Sequence, residues 1–120
     1  MKEEREYLFY LREIEDATNQ IFIYSQHLAL AAFKKNRLVV DAVIRTFEII
    51  NEACKNIPEI IKDKYPQVPW SKIYRLLNIV SHDYFGIDND VIWKIVTDYL
   101  PENYQNILSI IEMKSKNESQ

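Results

Sequence analysis

A single glycine, Gly86, in 120 residues leaves this chain almost no means of building β-hairpins. Tight hairpin turns need residues at positive φ, which glycine supplies at no steric cost. The apolar residues recur instead at helical spacing. Tyr10, Ile14, Ala17, Ile21, Tyr24 and Leu28 fall at i, i+4, i+7, i+11, i+14 and i+18, one stripe of a 3.6-residue period. An all-α fold is therefore expected, as one domain over residues 1–114 with a polar, frayed tail at 115–120.

The first helix is expected over about 3–27, with Glu3, Glu4 and Glu6 favoured by the dipole of its first turns. Residues 28–37 read equally as an extension of that helix or as a connector. Their cations Lys34, Lys35 and Arg37 suit either a solvated turn or an RNA-phosphate contact. Asn36 can cap a second helix, 37–57, whose stripe is Val40, Val43, Phe47, Ile50, Cys54 and Ile57. Pro58 fits the first position of a short third helix, 58–64. The segment Tyr65-Pro-Gln-Val-Pro-Trp70 must be extended, because each residue before a proline is pushed out of the α region. A fourth helix should open after Pro69 and stop near Gly86. A fifth is capped by Asp88 or Asn89, with Val91, Ile92, Ile95, Val96 and Tyr99 inward. Pro101 should break or kink it before a last helix, 101–114.

The balance of charge excludes some functions. A formal net charge of −3 argues against a broad, sequence-independent nucleic-acid binder, while leaving room for a local basic groove, particularly one built from two subunits. The lone Cys54 cannot form an internal disulfide, and its apolar helix position suits buried packing. No signal-like block opens the chain and no apolar run reaches membrane-spanning length, so a cytoplasmic protein is expected. Two histidines and one cysteine at scattered positions make no metal-ligand cluster.

Chemistry concentrates in Trp70–Asp88, WSKIYRLLNIVSHDYFGID. Here a polar run, Ser81-His82-Asp83-Tyr84, interrupts an apolar helix. Asn78 and His82 stand four apart and share a face, and Arg75, seven before His82, falls near it. An imidazole moves protons near neutral pH. A guanidinium holds phosphate or stabilises charge growing on it. An amide positions an oxygen. These are parts of a ribonuclease that uses the RNA's own 2′-hydroxyl as nucleophile. Spacing alone leaves a structural histidine near a helix end as the plainer reading. Asp83 and Asp88 suit turn or capping roles.

Three segments carry a more specific signal: DAVIRTFEIINEACKNIP (Asp41–Pro58), KYPQVPW (Lys64–Trp70) and LNIVSHDYFGIDNDVIWKIVTDYLP (Leu77–Pro101). Together, over about 38–100, they resemble the HepT-like toxins of the HEPN superfamily. The resemblance implies a HEPN-type up-and-down bundle of four to six helices that dimerises around a composite cleft. It implies a metal-independent endoribonuclease toxin of a type VII-like toxin–antitoxin pair, with RNA, tRNA or mRNA, as substrate. The implied partner is a minimal nucleotidyltransferase antitoxin that consumes ATP, this chain needing no cofactor. The family motif is Arg, a polar residue, three residues, His, one residue, Tyr. It carries over to Asn78, His82 and Tyr84, the tyrosine that the antitoxin adenylylates in part of the family. A bulky anion two residues from the histidine would block the cleft and repel phosphates.

One position departs from the motif. Leu77 stands where its arginine is expected, about 140° from His82 on an ideal helix. The wider superfamily allows four to six residues between Arg and His, and Arg75 satisfies six. Three explanations stay open: Arg75 substitutes, the protein is a naturally weakened or inactive member, or Leu77 is an inactivating substitution. The resemblance implies that Leu77→Arg raises cleavage. The alternative to an enzyme is a catalytically silent dimeric partner of a nucleotidyltransferase.

Overall fold

The computed structural model describes residues 2–82 and 89–118, with side chains described for 7–78 and 89–115. Helix α1 spans Lys2–Ser25, α2 Leu30–Lys35, α3 Arg37–Lys55, α4 Glu59–Lys64 and α5 Trp70–His82. Then α6 (Asn89–Lys94) runs through a π-helical turn, Ile95–Tyr99, into α7 (Leu100–Glu118). Every regular element among the described residues is helical. The molecule is elongated, 49 × 26 × 20 Å. α3 packs on α1 and α5, and α7 packs back on α1. Among the described residues no helix is long and apolar enough to cross a membrane.

The stripes expected from the sequence supply the core. Leu11 and Ile21 of α1 and Val43, Phe47 and Ile50 of α3 are almost wholly buried, and Ile110 of α7, not part of an expected stripe, joins them. Each such side chain contributes roughly 1.5–3 kcal/mol. The stripe is imperfect at its ends, since Tyr24 and Val91, expected inward, are exposed. Cys54 is buried between α3 and its neighbours, and burial pushes its thiol up to about 12. It is therefore a protonated packing group at neutral pH.

Local chemistry sets the helix ends. The Asn36 side chain accepts a hydrogen bond from the Val39 backbone N–H at 3.1 Å, capping α3. Such a cap is worth about 1 kcal/mol. The ambiguous segment 28–37 resolves into the short α2, and Lys34 reaches across to Asp90 at 3.2 Å, tying α2 to α6. Pro58 sits one position earlier than expected, as the extended N-cap of α4 rather than its first helical residue.

Pro101 neither breaks nor ends the rod. Proline lacks an N–H and its ring crowds the carbonyl four residues back. The π turn just before it widens the helix, with the Leu100 N–H bonded to the Ile95 oxygen, five residues back. That extra residue accommodates the proline while the helix continues. α7 also runs to Glu118, past the expected end at 114.

Candidate functional site

The site segment is launched by a short rigid connector. The Tyr65 oxygen accepts the indole N–H of Trp70 at 3.1 Å, and the Gln67 oxygen accepts from the Asn106 amide of α7 at 3.3 Å. The Ile73 N–H bonds the Pro69 oxygen at 3.0 Å, so α5 begins directly after the proline. Its backbone then continues without interruption through His82.

One face of α5 belongs to the core. Trp70, Ile73 and Leu77 recur at helical spacing and are buried, Leu77 being only 1% exposed. The residue at the motif-arginine position thus belongs to the core, on the helix that packs against α3, and does not face solvent. The opposite face carries Arg75, which is exposed, and Asn78, which is half-buried. Among the described residues Arg75 has no carboxylate partner within ion-pair distance. The His82 side chain, Tyr84, and the expected turn with Asp83, Gly86 and Asp88 lie outside the described residues.

Arg75 and Asn78 open onto two neighbouring depressions. Asn78 lines a cleft of about 490 Å³ between α1, α3 and α5, with Glu13, Arg45, Glu48, Asn51 and Glu52. Arg75 lines a groove of about 930 Å³ between α3, α4 and α5. Lys55 borders both. Among the described residues, then, Arg75 and Asn78 line two separate depressions.

The cleft also contains Arg45 and Asn51. Arg45 is bonded to Glu48 at 2.9 Å, one turn along α3. Asp41 lies near Arg37, at 3.8 Å. Asn51 is buried, and its Nδ2 donates to the Tyr74 oxygen at 3.2 Å. A carbonyl only accepts, so the amide must present its nitrogen there. Its Oδ1 is left buried with no protein partner. The signal was present in the sequence: Asn51 stands four after Phe47 on the apolar stripe of α3, where an amide needs a partner. Among the described residues no group of three or more His, Cys, Asp or Glu is placed to hold a metal ion.

Residues 14–110 match the profile of a family described as ribonuclease HepT-like. The chain is 38% identical over 103 residues to a protein of Methanocaldococcus jannaschii named as a candidate RNase, covering 86% of this chain and 85% of that one. It is 37% identical over 92 residues to a Thermococcus cleftensis protein named a probable ribonuclease HepT, covering 77% and 84%. It is 30% identical over 113 residues to another candidate RNase, from Caldanaerobacter subterraneus, covering 93% and 97%. No solved structure matches the chain.

Proposed function

The chain belongs to the HepT-like ribonuclease family, and from that premise we propose that it is a metal-independent endoribonuclease acting as a homodimer in the cytoplasm. It cuts RNA by internal transesterification. The 2′-oxygen bonds to the adjacent phosphorus, the bond from phosphorus to the 5′-oxygen breaks, and the products are a 2′,3′-cyclic phosphate and a 5′-hydroxyl. His82 moves the proton, Asn78 positions the phosphate or the attacking hydroxyl, and Arg75 stabilises the charge developing on phosphorus. The observation that carries this reading is Arg75: an exposed guanidinium with no carboxylate partner among the described residues, on the same helix and one turn from Asn78.

The division of the surface supports the dimer. Arg75 and Asn78 face different depressions of one chain, and a second copy related by a two-fold axis would bring both kinds of group to one cleft. A cognate nucleotidyltransferase antitoxin restrains the toxin by transferring adenylate from ATP to Tyr84. Leu77 favours a second reading, a catalytically silent dimer that binds the nucleotidyltransferase, because the motif position holds a core residue.

Arg75→Ala separates the two. Loss of one preorganised donor to a developing oxyanion costs about 10²–10³ in kcat. That loss is expected here, with partial recovery in Arg75→Lys, which keeps the charge without the bidentate fork. An unchanged kcat in Arg75→Ala would remove Arg75 from the site.

A further inference from the structure

The Asn78 cleft and the Arg75 groove differ in charge. Glu13, Glu48 and Glu52 line the cleft, against Arg45 and Lys55. The groove is lined by Lys55, Lys62, Lys72 and Arg75, against Glu59 and Asp63. A local excess of cations therefore stands on a chain whose formal net charge is −3. These cations come from three helices: Lys55 from α3, Lys62 from α4, Lys72 and Arg75 from α5. Two are held in place by aromatic rings. The Lys55 ammonium lies 5.7 Å from the centre of the Tyr74 ring, and that of Lys72 lies 5.1 Å from the centre of Tyr99. Restricting these side chains before binding lowers the entropy lost on contact with a ligand. The carboxylates compete weakly, Lys62 to Glu59 being 3.8 Å and Lys55 to Glu52 3.9 Å.

We propose that this groove between α3, α4 and α5 is the track that holds the phosphate backbone of single-stranded RNA and leads it to Arg75. The proposal rests on the ribonuclease reading for its ligand and on the groove for its location. A polyanion is drawn to the groove, where four cations stand against two carboxylates. Arg75 ends the track one helical turn before Asn78 and two turns, about 10.5 Å along the axis, before His82. Phosphates seated along Lys62 and Lys72 therefore bring the next part of the strand to the α5 site. Contacts of this kind set affinity and register and carry no base information.

Binding to the full-length protein of a fluorescent 2′-O-methyl RNA, which cannot be cut through its own 2′-oxygen, tests this. Lys62→Gln with Lys72→Gln is expected to weaken binding about tenfold near 0.1 M salt. The slope of log affinity against log salt should flatten by about 1.4, at about 0.7 per single-strand phosphate contact. The pair Lys62→Arg with Lys72→Arg should bind as the unmodified protein does. Unchanged affinity and slope in the glutamine pair would overturn the proposal. So would a loss that persists with the charges kept, or a polyglutamate peptide competing as well as RNA, which would assign the groove to an acidic protein. Failure of the unmodified protein to cut ordinary RNA would sink the ribonuclease reading and leave this binding result to stand or fall alone.

Discussion

His82→Ala is expected to reduce RNA cleavage by about 10²–10⁴, the contribution of a positioned general acid–base group. The transesterification needs a proton taken from the 2′-hydroxyl and one given to the leaving 5′-oxygen. His27 and His82 are the chain's two histidines, the side chain best suited to moving protons near neutral pH. His27 lies after the end of α1, far in sequence from the α5 motif, and is exposed. His82 ends the described length of α5, on the helix that carries Asn78 and Arg75. His82→Ala should therefore remove activity with little effect on RNA affinity, whereas His27→Ala should leave the rate intact. Equal rates for all three proteins would show that the histidine is structural.

Leu77→Arg is expected to destabilise the fold by roughly 3–5 kcal/mol, the scale seen when an unpaired charge is left inside a protein. The leucine is 1% exposed and continues the buried line of Trp70 and Ile73. An arginine there must either bury its guanidinium or bend its stem out of the core, and both lose the packing of the leucine. Thermal unfolding measures this directly. A melting temperature equal to that of the unmodified protein would mean that the helix turns about its axis to expose position 77. The gain in cleavage implied by restoring the family motif therefore comes at a cost in stability. Any assay of Leu77→Arg must be read beside its melting curve.

Much of this was legible in the sequence. The burial of Leu77 follows from its spacing with Ile73, and the Asn36 cap from a short polar side chain before an amphipathic run. The helical class followed from the glycine count, because tight turns have that chemical requirement. The continuous rod through Pro101 was not legible. Whether a proline breaks a helix depends on the turn before it, and no residue type specifies a π turn. Nor was the separation of Arg75 from Asn78. Both lie on one side of α5, but α4 helps to line the groove at Arg75 and α1 the cleft at Asn78, and that division is tertiary. Asn51 was legible as an amide on an apolar stripe, but its acceptor, the Tyr74 oxygen of another helix, was not.

The central claim is that this chain cuts RNA through the RNA's own 2′-oxygen. Its most direct measurement sets one RNA oligonucleotide beside the same sequence lacking 2′-hydroxyls, with the purified protein and a metal chelator present. Cleavage of the RNA alone, leaving 2′,3′-cyclic phosphate ends, is the result expected. Cleavage of both strands, or of neither, would contradict it.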